Sequence, residues 1–356
     1  MGLILFLPEL LLAVLAGFIA DHLDRRVVTI VSGAATCATI AVFALLAFAN
    51  TRSLPAYYVA LACYAIAVTL GIPALRSMLA SIVQGEHYLR GSALISSVSE
   101  FAAIAGPAIA GLLIALDVPL AFAASCALQA IAVAAVFFLG PQRPEHADES
   151  MPSLWRSTVE GLRFIRDRKI ILGAISLDLF AVLFGGATAL LPIYAVQVLH
   201  VGATGYGLLR AAPSVGAALV GIALIRRPIR RNGARWLFWC IAGFGLSTIV
   251  FGLSRNMPLS LIALAGVGGF DMVSMVIRNA ITQLRVPEAM RGRVSAIENI
   301  FIGASNELGM FESGAVAAWL GPVLSVVLGG VATLAVVALW VPFFPALRRF
   351  DRLEEA

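Results

Sequence analysis

The sequence predicts an all-α polytopic membrane protein, with about eleven transmembrane helices in two pseudo-repeated bundles of five and six. Three observations predict it. Apolar windows long enough to cross a bilayer recur through nearly the whole chain. Every third window is free of charge, while the two between carry the buried charges. Equivalent motifs return roughly two hundred residues later in the same register, as in a parallel internal repeat.

In order, the windows lie near 1–20, 27–49, 55–79, 92–116, 119–139, 169–199, 203–226, 236–253, 258–284, 294–319 and 322–344. The first has no basic leader, carries Pro8 and Glu9 in mid-segment and runs into a charged turn, so it reads as a permanent span rather than a cleaved signal. The second, fifth, eighth and eleventh hold no Asp, Glu, Lys or Arg. The others hold Glu9, Arg76, Glu100, Asp178, Arg210, Asp271, Arg278, Glu298, Glu307 and Glu312. A charge at mid-bilayer costs roughly 2.5–3.5 kcal/mol on insertion scales, so these residues face protein or water. The period of three thus separates lipid-facing helices from helices lining something polar, as in transporters built from three-helix units. The sixth window is interrupted by Gly185-Gly186 and Pro192, and the ninth is loosened by Gly266, Gly268 and Gly269. Phe180, Phe184, Tyr194, Tyr64 and Phe270 are aromatic positions open to either packing or a cavity.

The polar break at 140–168 divides the chain. Its first part is rich in Pro and charge and reads as linker. From Ser153 onward Leu154, Trp155, Val159, Leu162 and Ile165 alternate with Arg156, Arg163 and Arg166, a basic amphipathic helix expected to lie on the membrane surface as a strap. The domains are therefore a first bundle over 1–139, a linker over 140–168, a second bundle over 169–347 and a cytosolic tail over 348–356.

At 60% hydrophobic and 13% charged residues, with mean hydropathy +0.95, the composition excludes an ordinary soluble domain. The net charge of +5 is a topology signal rather than a sign of nucleic acid. One alternate set of loops and the tail hold almost all the arginines, among them Arg25, Arg90, Arg143, Arg226, Arg231, Arg291 and Arg348, whereas the opposite loops hold Arg52 and Arg255. The positive-inside rule makes the first set and the C-terminus cytosolic. Cys37, Cys63, Cys126 and Cys240 fall inside windows without paired metal spacing and read as small packing residues.

The repeat aligns Gly17-x-x-x-Asp21-x-x-x-Arg25-Arg26 with the stretch from Gly221 to Arg231, where Ile225 replaces the acid. It aligns Gly106-Pro107-x-x-x-Gly111 with Gly309 to Gly314. These motifs resemble those of the major facilitator superfamily over essentially the whole chain, with the family's first helix absent before Gly2. The segment from Phe301 through Glu307 and Gly309 to Gly314 resembles the bacterial drug- and siderophore-exporter branch, that of enterobactin exporters. Asp24 and His22 stand where the general signature has Gly and Arg. The resemblance implies two bundles rocking around a central cavity in a bacterial inner membrane. It assigns Gly17, Asp21, Arg25 and Arg26 to a cytosolic latch, although positive-inside topology already accounts for Arg26. It ties Gly106, Pro107 and Gly111 to exporters, beside the plain reading of a kinked, small-faced helix that lets a neighbour approach.

Glu100, Asp178, Asp271, Arg278 and Glu307 are the candidates for coupling protons and substrate. Carboxylates within a membrane serve as proton relays, and each could instead be satisfied by a facing helix through Asn299, Asn306 or Arg278. Glu100 departs from the Gln the branch carries. Asp271 and Arg278, seven residues or roughly 10 Å apart along one helix, are too far to pair. Arg76 and Arg278 are expected to snorkel to the interface.

No phosphate-binding loop precedes Lys169, the single lysine, and His22, His87, His146 and His200 are scattered in loops. No enzyme, metal or cofactor is expected. The expectation is a monomeric, proton-coupled exporter of amphipathic small molecules; the alternative is a truncated, non-transporting remnant or membrane sensor.

Overall fold

The computed structural model describes residues 2–82, 88–140, 154–229 and 231–348. The linker from 141 to 153 and the tail from 349 lie outside the described residues, as do the side chains of Asp21, Glu100 and Asn299.

The chain divides into two compact units. The first is Met1–Ala102 with Ile109–Met151; the second is Pro152–Ala356 with Ala103–Ala108. The first unit's five long helices are α1 (Gly2–His22), α2 (Arg25–Phe48), α3 (Leu54–Ile82), α4 (Tyr88–Leu116, apart from Ala103–Ala108) and α5 (Val118–Phe137). The second holds α6 (Leu154–Asp167), α7 (Lys169–Phe184), a one-turn α8 (Leu191–Ile193), α9 (Ala203–Arg226), α10 (Gly233–Leu253), α11 (Met257–Arg285), α12 (Glu288–Leu320), α13 (Pro322–Phe343) and a short α14 (Pro345–Arg348). Each apolar window of the sequence except the sixth therefore falls on one long helix, and the sixth falls on α7 and the short turns after it. Among the described residues, eight stretches are long and apolar enough to cross a membrane. They lie on α2, α3, α5, α9, α10, α11 and α13, with the run from Lys169 to Val198 as the eighth. α1 and α4 contribute shorter apolar stretches, Gly2–Leu12 and Ala105–Leu116, and α12 carries Glu298, Glu307 and Glu312 through its length.

Local chemistry sets the helix ends. The Asp24 carboxylate accepts from the Arg26 N–H at 2.9 Å and caps α2. Asn256 caps α11 in the same way through the Leu259 N–H. α12 stops at Gly321, whose φ of +84° suits glycine, and α13 restarts at once with Pro322 in its first turn. The expected break in the sixth window is present. α7 ends at Phe184, and the chain continues through a 3₁₀ turn (Ala187–Leu190) and a π turn (Tyr194–Val198).

In the first unit α2 packs on α3 and α5, and α1 on α3. Among the described residues its buried apolar cluster is Ala20, Val28 and Ala74, and it turns Leu45, Phe48, Leu128, Phe137 and Phe138 outward. The charge-free window 236–253 of α10 and the charge-free α13 of the second unit likewise expose Trp239, Leu246, Leu253, Leu324 and Phe343, as lipid-facing helices should. One core cluster of the second unit is Leu177, Leu237, Ile277, Ile281 and Val336 between α7, α10, α11 and α13.

One expectation changes here. Gly268 does not loosen its helix: α11 is continuous, and a Cβ on Gly268 or on Gly216 would overlap the backbone of Pro213 or Ala265, so these glycines are where α9 and α11 touch. α6 also packs on protein at Ile165, while Leu162 on the same helix stays exposed. Ile165 is buried with Ile171, Val294 and Ile297, and Glu160 pairs with Arg293 at 2.6 Å.

Candidate functional site

α7, α11 and α12 bring three charges to one level of the second unit. Asp178 lies nine residues into α7, Arg278 seven before the end of α11, and Glu298 ten into α12. At 1.5 Å per residue these are depths of about 10–15 Å from the same side. The side chains meet there. Arg278 Nη1 lies 2.8 Å from Asp178 Oδ2 and 3.9 Å from Glu298 Oε1. All three are buried, at 5–6% exposure, beside Leu177 and Ile277, which are fully enclosed. Arg278 therefore does not snorkel; α7 and α12 supply acids where it stands, and a paired charge need not reach the interface.

One guanidinium faces two carboxylates, so the cluster carries a formal charge of −1 in a dry setting. Removing either partner from such a pair exposes the other to the full cost of burial. The Asp178 contact is the closer ion pair by about an ångström, so Arg278 is held chiefly by Asp178.

Beside Asp178 is a cavity with about 10 Å³ of room for the centre of a water molecule, close to a single water. Asp178, Cys240, Phe244, Phe270, Asp271 and Ser274 line it. Asp271 is exposed at its lip. Ser274 is 2% exposed, and its hydroxyl has no hydrogen-bond partner among the described residues.

The remaining candidates lie elsewhere. Glu307 is half-buried on α12, nine residues and about 13 Å beyond Glu298 on the opposite side of the helix. Gly106 and Pro107 sit inside the unbroken α4; among the described residues a Cβ on Gly106 would meet nothing within 4 Å, while Gly111 is buried. Gly17 is equally open. Arg25 opens α2, half-buried. Arg26 donates to the Phe137 carbonyl and lies 5.1 Å over that ring, tying α2 to the end of α5. The carboxylate at the N-terminus of α2 belongs to Asp24; Asp21 stands in the last turn of α1. Of the aromatic candidates, Tyr194 is fully buried, donating to the Gly252 carbonyl, and Phe180 packs on Trp340; Phe270 reaches the small cavity.

Glu298 and Ser274 were missed as site residues. The signal for Glu298 is the hairpin geometry: α11 and α12 are separated by Val286 and Pro287, so an arginine seven residues before the turn and an acid ten after it are level. A serine in an apolar helix gives no comparable signal. No group of three or more metal-ligating side chains occurs among the described residues.

Residues 1–310 match the Major Facilitator Superfamily. The multidrug efflux pump Tap of Mycobacterium tuberculosis is 26% identical, over 98% of this chain and 85% of its own length. The enterobactin exporter EntS of Citrobacter koseri is 25% identical, over 94% and 80%. Among solved structures, the nucleoside transporter NupG superposes with a TM-score of 0.72 at 14% identity, over 96% of this chain and 89% of its own. The human organic anion transporter MFSD10 gives 0.62 at 18%, over 95% and 83%. At these identities the structures share the fold.

Proposed function

The chain belongs to the Major Facilitator Superfamily, a membrane transporter rather than an enzyme, and from that premise we propose that it exports amphipathic small molecules by proton-coupled alternating access. The two sequence relatives above are named as an efflux pump and an exporter, which favours outward transport.

The observation that carries proton coupling is the buried Asp178–Arg278–Glu298 cluster. Two acids on one base hold an excess negative charge that a single proton neutralises, and a dry site rewards neutrality strongly. Protonating Asp178 weakens its hold on Arg278 and leaves the guanidinium to Glu298. A two-position arginine of this kind turns proton binding into a shift between α7 and α12. Glu100 and Glu307 remain secondary proton or substrate groups in this reading. Gly17, Asp21 and Arg25 act as the cytosolic latch, and Gly106, Pro107 and Gly111 as the exporter segment of α4. The protein works as a monomer in a bacterial plasma membrane with its C-terminus in the cytosol.

Efflux of ethidium, an amphipathic probe, from energised cells tests the reading. Wild type should clear the dye until an uncoupler is added. Asp178→Asn should lose at least about tenfold in rate, a barrier change of about 1.4 kcal/mol. Uncoupler-insensitive efflux, or Asp178→Asn working at the wild-type rate, would remove proton coupling through this cluster.

A further inference from the structure

Asp271, Ser274 and Arg278 are spaced three and four residues apart, so they share one face of α11, the face turned to Asp178 on α7. Two of the three are accounted for. Arg278 holds the two buried acids, and Asp271 is exposed at the cavity lip. Ser274 is not. It is 2% exposed, its hydroxyl finds no partner among the described residues, and it lines the one-water cavity between Asp271 and Asp178. Alanine would fill the same volume without burying an unpaired hydroxyl, so packing does not explain a serine there.

We propose that Ser274 anchors a single relay water through which a proton passes between exposed Asp271 and buried Asp178. The inference rests on the proton-coupled reading above and supplies its route. A cavity of this size holds about one water, and a buried water needs two to four polar partners; Ser274, Asp178 and Asp271 are three. Among the described residues, the other ionisable groups facing the site are Cys240 from α10, Arg278 from α11 itself and, through Arg278, Glu298 from α12.

The step is a two-bond shuttle. The carboxylic acid of Asp271 gives its proton to the water, and the water gives one of its own to the Asp178 carboxylate. Asp271 is left ionised, Asp178 neutral and the water regenerated. No charge is created, and Arg278 turns toward Glu298. Ser274 touches neither substrate nor the transferred proton. It is a positioning residue that fixes where the water's oxygen sits.

The test needs no substrate. The purified full-length chain in phospholipid nanodiscs is dropped from alkaline to mildly acidic pH, and carboxyl bands are followed by time-resolved infrared spectroscopy. Asp178→Asn identifies the Asp178 band by deleting it. In Ser274→Ala the band should rise to the wild-type amplitude about tenfold more slowly, the effect of one lost hydrogen bond. The solvent deuterium isotope effect should change with the rate, and Ser274→Thr, which restores a hydroxyl, should recover most of it. Ser274→Ala at the wild-type rate, or Ser274→Thr as slow as alanine, overturns the relay while leaving Asp178 as a proton site. An Asp178→Asn variant that deletes no band overturns the proton-coupled reading itself, so the two failures are told apart.

Discussion

At the scale of single residues, Arg278 shows how far a sequence can be read and where it stops. Its position in a membrane window is plain, and Asp178 is a plain candidate, because a charge in an apolar run must have a reason. The pairing is not plain, because partners come from helices separated by about a hundred residues in one case and a turn in the other. The cluster predicts an asymmetry in mutant stability. Arg278→Met strands two buried carboxylates and should destabilise the second unit by about 3–5 kcal/mol. Adding Asp178→Asn and Glu298→Gln removes both stranded charges and should recover most of that loss. Thermal unfolding of the three proteins in one detergent checks it. A triple variant no more stable than Arg278→Met alone would mean that the charges are not what holds the cluster.

At the scale of elements, the break after α7 was legible because it follows from local chemistry, and the helix ends, which were not read, follow from the same kind of chemistry. Asp24, Asn256, Gly321 and the Gly185-Gly186 pair act on the backbone beside them. What faces each helix was less legible. The glycines of α11 and the apolar stripe of α6 were read by composition alone, and composition does not say whether a small or apolar surface meets lipid or another helix. For α6 the magnitudes decide which contact matters. Glu160 and Arg293 are each about one-third exposed, so their ion pair is worth at most about 1 kcal/mol. Ile165 is 1% exposed in the cluster with Val294 and Ile297, and truncating such a side chain costs about 2–5 kcal/mol. Ile165→Ala should therefore release α6 to limited proteolysis, while Glu160→Ala leaves it protected. The reverse order of sensitivity would make the strap electrostatic. On α9, Gly216→Leu should block assembly of the folded second unit, since its Cβ overlaps the Ala265 carbonyl; Gly106→Ala, with open space around it, should express and melt like wild type.

At the scale of the whole molecule, hydropathy and the period-three charge pattern were enough for the fold class, because a bilayer forces a long continuous apolar span into helix and every unpaired charge away from lipid. Orientation rests on a different asymmetry, the crowding of arginine into alternate loops. That bias acts during insertion, when basic segments resist translocation, and it leaves no mark on the packing of the finished helices. It has to be measured from outside. With Cys37, Cys63, Cys126 and Cys240 replaced, single cysteines at Arg52, in the turn between α2 and α3, and at Arg255, between α10 and α11, should react with an impermeant maleimide in intact spheroplasts. Cysteines at Arg227, between α9 and α10, and at Arg348, in α14, should react once the membrane is opened. The four sites form two predicted pairs separated by odd numbers of spans. A wholly inverted pattern would place the C-terminus outside and reverse the latch, so that Asp21 and Arg25 would close the external face. A mixed pattern within either pair would mean that a window between those sites does not span, and would change the helix count.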